Sequence, residues 1–332
     1  MRKPLTRIIL ALLAAAAASQ LAFVVMSWGM QRYTAHLTDQ FSELFHGRSR
    51  HELLFVGQSR AHSAVKPRVI DRILKVDSYN AGIDGASAAE FLTVLDGYLV
   101  HHPAPSRVVL MVDAGTLDLQ RRLWNPLLYF PYLDNPVVRA SVRSAGYSPA
   151  LLRALPFLRM LDYDDYSRGN ALKGLLGKTE LGPDAAPYKG YVDLRRGGMR
   201  EARFVEQGAK TISPDGLSTL QSFMDACRVR GIQLVLVVPP LFTGYHKQWT
   251  NSSQVLDLVT TLAERNHLEV WRHDRLELCQ RAELFSDPGH LNDAGAELYS
   301  TLLAGQLGGN GEQRKLVPAT RPAVAAGAAA PP

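Results

Sequence analysis

Five short strand candidates, separated by helix-period stretches, constrain the fold most. They are Leu53–Val56, Ser78–Ala81, Val108–Val112, Leu234–Val238 and Leu268–Trp271. Helical patterns follow or separate them at Ala86–Val100, Leu217–Arg230, Ser253–Asn266 and Ala294–Leu307. The β-rich runs are apolar on both faces, which is what a sheet covered by helices on both sides demands. Short strand–helix repeats need right-handed crossovers, and those make the sheet parallel. The expected class is therefore α/β with a five-stranded parallel sheet.

Between Asp113 and Thr211 this alternation stops. The stretch, about 114–211, is too long for an ordinary connection. It carries Trp124, Tyr129, Tyr132, Tyr147, Tyr163, Tyr166, Tyr188 and Tyr191. It reads as an insertion that caps a site and shapes a substrate groove, or as peripheral packing with no ligand role. From Gly308 the chain is rich in Gly, Ala and Pro, which predicts a disordered tail over 308–332.

The N-terminus sets a second constraint. Arg2, Lys3 and Arg7 precede Ile8–Trp28, 21 residues without a charge. As a helix that run is about 31 Å long, close to the hydrocarbon thickness of a bilayer. Small residues at Ala14–Ala18 would suit cleavage of a signal peptide. The apolar run continues past them to Trp28, which favours a retained anchor over residues 1–30. The basic flank places the N-terminus in the cytoplasm and the main domain outside, on a single-pass protein of the cytoplasmic membrane. Gln31–His51 reads as an amphipathic linking helix, with Leu37, Phe41, Leu44 and Phe45 on one side. The domain proper then occupies 52–307.

A net charge of +6 and a pI near 9.3 are mildly basic. No dense Lys/Arg run interleaved with aromatics is present, so nucleic acid is a poor partner. A membrane surface or a negatively charged polymer suits the charge. Scattered histidines (His101, His102, His246, His267, His273) show no metal spacing, and no glycine-rich phosphate loop follows Gly82 and Gly85. No metal or cofactor is expected. Cys227 and Cys279 are the only cysteines. Export would allow one disulfide, whereas the helical apolar pattern around Cys227 favours core packing.

Chemistry concentrates in Phe285-Ser286-Asp287-Pro288-Gly289-His290-Leu291-Asn292-Asp293. Asp287 and His290 lie three apart on a loop that Pro288 and Gly289 force to turn. The carboxylate can bond one ring nitrogen and leave the other free, as in a nucleophile-activating triad. The nucleophile candidate is Ser59, just after Leu53-Leu54-Phe55-Val56-Gly57-Gln58. A serine there sits at the carboxyl edge of a parallel sheet, where α/β sites form. Each residue alone has a plainer use: Ser59 as a helix N-cap and Asp287 as a turn former. His62 is a rival base, but no acid accompanies it in the sequence.

Gly57-Gln58-Ser59-Arg60 and Asp287-Pro288-Gly289-His290-Leu291-Asn292 resemble the first and last blocks of SGNH (GDSL-like) hydrolases. Serine followed by arginine, behind an N-terminal anchor, resembles the membrane-associated, acyltransferase-like branch that serves polysaccharide O-acetylation and D-alanyl transfer. The resemblance covers about 51–305. It implies a three-layer, flavodoxin-like sandwich and a Ser59–His290–Asp287 triad. It also implies oxyanion donors at the Ser59 N–H and at Gly82. The asparagine of the third block is missing: Asp113-Ala114-Gly115-Thr116-Leu117-Asp118 stands there, and Gln58 replaces the aspartate of GDSL enzymes. Asn80, Arg60 or Thr116 could substitute as donor. Arg60 could also hold an anionic substrate group, or pair with Asp84 or Asp113.

The expectation is an exported, membrane-anchored serine esterase or O-acyltransferase. Ser59 would take an acyl group, expected to be acetyl, from a membrane acyl-donor protein or an ester, and pass it to water or to a hydroxyl of a cell-envelope or extracellular polysaccharide. The alternative from another class is a non-catalytic binding or assembly subunit of an envelope polysaccharide machine.

Overall fold

A computed structural model describes residues 2–32, 38–119, 122–155, 158, 165–178, 189–193, 199, 204 and 206–309. Five strands form one parallel sheet: β1 (Leu53–Gly57), β2 (Ser78–Gly82), β3 (Arg107–Met111), β4 (Gln233–Val238) and β5 (Val270–Arg272). Their spatial order is β2-β1-β3-β4-β5, the flavodoxin-like order. Registers are regular, with Val56 level with Ala81 on one side and Leu110 on the other.

The two-residue period of a strand divides the core in two. Leu54, Val56, Val108, Leu110, Leu234 and Leu236 belong to one buried cluster. Leu53, Phe55, Val109, Met111 and Val237 belong to the other. Helices α5 (Ala88–Tyr98), α9 (Pro214–Val229) and α10 (Ser252–Arg265) supply the first cluster. Helices α3 (Ser59–Ala64), α4 (Pro67–Leu74) and α11 (Asp293–Leu307) supply the second. Cys227 lies in the first cluster and Cys279 in the second, so the sheet separates them. Both thiols are free and buried, and burial pushes them up to about 12 and about 11.

Three expectations change in detail. The linking helix is α2 (Thr38–His46), and it is no exposed tether: Phe41, Leu44 and Phe45 are fully buried. The last strand starts two residues late, because Leu268 and Glu269 belong to the turn after α10. Much of the insertion packs into the core. Tyr129, Phe130 and Tyr132 of the short 3-10 stretch Pro126–Tyr132 join the first cluster, with Phe41 against Tyr129 at 4.7 Å. The insertion also carries α6 (Pro136–Ser144), α7 (Pro149–Ala154) and α8 (Asp165–Leu175). Tyr163, Tyr188 and the tail from residue 310 lie outside the described residues.

The N-terminal run is a single helix, α1 (Arg2–Arg32). Its segment Pro4–Met30 is long and apolar enough to cross a membrane.

Candidate functional site

Strand β1 delivers Ser59 to the carboxyl edge of the sheet. Gly57, its last residue, passes so close to β3 that a Cβ there would stand 2.9 Å from the Cβ of Met111. Gln58 is extended and caps α3, and Ser59 is the first helical residue rather than the cap. As the first residue of the helix, Ser59 has no intrahelical partner for its N–H.

The acid–base loop arrives from the other end of the chain. Strands β6 (Phe285–Asp287) and β7 (His290–Leu291) form a tight antiparallel pair around Pro288-Gly289. Asp287 Oδ1 accepts from the Gly289 N–H at 2.9 Å and faces His290 Nδ1 at 2.8 Å. His290 Nε2 lies 2.8 Å from Ser59 Oγ. With Nδ1–H given to the carboxylate, Nε2 is the acceptor for the serine proton. Phe242 N–H donates to the Pro288 carbonyl at 3.0 Å, and the Tyr245 ring lies against Gly289. Asn292 caps α11 and donates to the Glu283 carbonyl at 2.7 Å, which fixes the far side of the loop.

The expected oxyanion donors fare differently. Gly82 N–H donates to Asn80 Oδ1 at 3.0 Å, so it is already engaged. The Asn80 amide is fully buried and donates to the carbonyls of Ala61 and Val65, each at 2.8 Å. It ties α3 to β2 and does not face Ser59. Thr116 is buried too, accepting from the Asp113 N–H at 2.8 Å. All three are therefore corrected to structural roles. The sequence shows a polar residue near a strand end but not which backbone groups it satisfies.

Arg60 pairs with Asp113 and donates to the Tyr245 hydroxyl, with its guanidinium 5.0 Å from that ring. Burial opposes its charge, and Asp113 and Tyr245 more than compensate. Of the pairings expected for Arg60, the one with Asp113 is formed. His62 has an acid after all: its Nδ1 lies 3.2 Å from Asp84 Oδ1. It is buried, however, and the Ser59 hydroxyl is on His290.

A pocket of about 50 Å³ is lined by Gln58 and Arg60, which flank Ser59 in the chain, and by Asp113, Gly115, Tyr245 and Trp249 among others. Lys210 lies 3.9 Å over the Trp249 ring. His246 bonds Asp274 at 3.1 Å, and Arg272 holds that buried carboxyl down at about 2. Sequence reading missed Tyr245 and Trp249, which sit in an unpatterned stretch between β4 and α10. Only their position after the carboxyl end of β4 marks them. Among the described residues no cluster could hold a metal.

No family model and no curated protein matches this chain. Among solved structures it is similar to an acetyl xylan esterase at 14% identity and a TM-score of 0.40, covering 79% of this chain and 99% of that one. It is similar to a GDSL-like lipase from Bacteroides thetaiotaomicron at 11% identity and a TM-score of 0.33, covering 81% and 89%. It is also similar to a G-D-S-L family protein from Desulfitobacterium hafniense at 10% identity and a TM-score of 0.37, covering 77% and 98%. At these identities and scores the reading of the site rests on its own geometry.

Proposed function

We propose that this chain is a serine esterase or O-acyltransferase. The observation that carries the reading is the continuous Ser59 Oγ–His290–Asp287 line, with 2.8 Å at each step. Ser59 Oγ attacks an ester carbonyl as its proton passes to His290 Nε2. Asp287 holds the ring in the needed tautomer and stabilises the imidazolium. The proton then goes to the leaving alcohol, and an acyl-serine remains. Water or a second hydroxyl, deprotonated by the same histidine, takes the acyl group and restores the serine.

The Ser59 N–H is the backbone donor for the developing oxyanion. The Gln58 side chain, next in the chain and lining the pocket with Arg60 and Gly115, is the candidate for a second donor. A membrane-crossing α1 would keep the domain beside a membrane acyl donor, which favours transfer to a hydroxyl of a cell-envelope polysaccharide. Arg2, Lys3 and Arg7 orient that helix with its N-terminus in the cytoplasm.

The test uses the purified full chain, a fluorophosphonate probe and a chromogenic acetyl ester. Labelling and hydrolysis should both vanish in Ser59→Ala. A reporter fused after residue 305 should be active outside the cytoplasm, with the protein retained on membranes after a salt wash. One observation favours the second reading, a non-catalytic binding subunit: Gly82 and Asn80, the two donors expected from β2, are both engaged elsewhere. An unlabelled Ser59, with saccharide binding indifferent to Ser59→Ala, would establish that reading instead.

A further inference from the structure

The anchor and the domain are not joined end to end. Residues 4–18 of α1 are exposed on every side. Even counted from Pro4, that free stretch is only about 22 Å long. The hydrocarbon core of a bilayer is about 30 Å thick.

Beyond it, one face of α1 is already occupied. Gln20 Nε2 donates to the Ala154 carbonyl at the end of α7, at 3.1 Å. Phe23, Ser27 and Met30 are buried. Gly29 lies so near α8 that a Cβ there would stand 2.2 Å from the Ala171 carbonyl oxygen. The opposite face of these turns is apolar and bare. Leu21, Val24, Val25 and Trp28, at i, i+3, i+4 and i+7, are 65%, 59%, 40% and 51% exposed. Arg32 then sits 4.4 Å over the Trp28 ring, the kind of aromatic and basic pair that marks the headgroup level.

A helix that crosses the bilayer from Ile8, past the charge of Arg7, needs about 20 residues and therefore places the turns from Leu21 to Ser27 in hydrocarbon as well. Whatever sheathes those turns enters the same leaflet. The end of α7 and the packed face of α8 do so, and both show leucines outward. Leu151 is 48% exposed, Leu155 37%, Leu172 58% and Leu176 61%. Exposed Arg153 and Lys178 are long enough to reach headgroups from beside them.

We infer that α7 and α8 form a lipid-embedded surface, seating the domain in the leaflet where α1 emerges. The occupant of this apolar face is the bilayer itself. Two parts of the insertion would then differ in purpose: the 126–132 stretch fills the core, and α7 with α8 meets lipid. The inference rests on reading α1 as a membrane anchor, and the two can fail separately.

The test labels single cysteines with an environment-sensitive fluorophore in the full chain. The chain is reconstituted in vesicles of phosphatidylcholine and phosphatidylglycerol whose acyl chains carry a nitroxide quencher. Positions are Leu155→Cys, Leu172→Cys and Leu176→Cys, with Leu12→Cys on free α1 and Val229→Cys on distant α9 as references. All five residues are exposed, so folding is not at stake. Cys227 and Cys279 are buried, and the unsubstituted chain measures their background. Labels at 155, 172 and 176 should be quenched as strongly as at 12, and the label at 229 should not. Quenching at 12 with 155, 172 and 176 behaving like 229 overturns the inference and leaves the anchor standing. No quenching at 12 removes the anchor, and the inference falls with it.

Discussion

Strand β1 has a histidine–carboxylate pair at each end, and the two are built for opposite purposes. Before the strand, His51 Nδ1 meets Asp77 Oδ1 at 2.9 Å and Nε2 meets Glu43 Oε1 at 3.3 Å. The same Glu43 oxygen bonds His102, and Asp77 is also held by Lys189 at 2.9 Å. After the strand, His290 meets Asp287 on one nitrogen only, and its other nitrogen faces the neutral hydroxyl of Ser59. Burial pulls the His51 value down, but carboxylates on both nitrogens reverse that and raise it. His51 is held by carboxylates on both nitrogens, whereas His290 has one nitrogen on a neutral hydroxyl, the one that would take the proton in the proposed reaction. A carboxylate beside a histidine makes a base only when the second nitrogen is left open.

The largest effect expected is on the open pair. Ser59→Ala, His290→Ala and Asp287→Asn should each cost roughly three to six orders of magnitude in ester turnover. They should act as a unit, so the double variant Ser59→Ala/His290→Ala should be no slower than either single one beyond about tenfold. Thermal midpoints should barely move. His62→Ala should keep most of the activity. A double variant far slower than both singles would show that the two residues do not share a step.

The closed pair should show the reverse. His51→Gln takes one partner from Glu43 and Asp77, which are partly exposed and keep His102 and Lys189, at a cost on the order of 1 to 2 kcal/mol of stability. Turnover of the folded protein should be nearly unchanged. The pH dependence has a definite sign. Hydrogen bonds from His102 and His51 hold Glu43 well below the carboxylate range, so its contribution is lost as pH falls below the usual 4.5. His51 is raised from 6.5, so its contribution is lost as pH rises through its folded value. The gap between wild type and His51→Gln should be widest between those two values. Unfolding by urea across pH measures it, and a gap that stays flat would contradict the reading of His51 as held by both carboxylates.

Glu90 supplies the case with no countercharge at all. It is fully buried on α5, accepting from the Tyr129 hydroxyl at 2.6 Å and the Trp124 N–H at 3.0 Å. Burial pushes its carboxyl up to about 7 from 4.5. The native state therefore binds the proton more tightly, and wild-type stability should fall as pH rises from about 4.5 to 7. The loss is on the order of 3 kcal/mol at most. Glu90→Gln should flatten that slope, measured by denaturant unfolding at both ends of the window.

These contrasts mark where sequence reading stops. Most of the strands are legible because a run of four or five β-rich residues, apolar on both faces, is too short for a buried helix. Asp287 with His290 was legible because three positions and a forced turn keep them close. Nothing local tells His51 from His290, since Glu43, Asp77 and His102 reach His51 from three separate elements. The same holds for Asn80, whose amide looks like a site donor until the carbonyls of Ala61 and Val65 are seen to need it. Tyr129 and Tyr132 read as a cap because their ring partners, Phe41 and Phe45, lie more than 80 residues away on α2.

The smallest effect tests the border between the two kinds of pair. Arg60 follows the proposed nucleophile directly, yet it is held like His51, with Asp113 on one side and the Tyr245 hydroxyl on the other. Tyr245→Phe keeps the ring against Gly289 and removes only that acceptor. The Asp113 contact remains, so the guanidinium keeps its countercharge. The expected cost is on the order of 1 kcal/mol, the net worth of one hydrogen bond to a charged group beside a pocket. In turnover that is less than about tenfold, against a thousandfold or more for Ser59→Ala. Tyr245→Phe and Ser59→Ala are compared on the same acetyl ester, with KM and kcat separated. A fall in kcat approaching that of Ser59→Ala would mean the Arg60–Tyr245 pair touches the reacting atoms. The border between closed support and open chemistry would then have to move to include it.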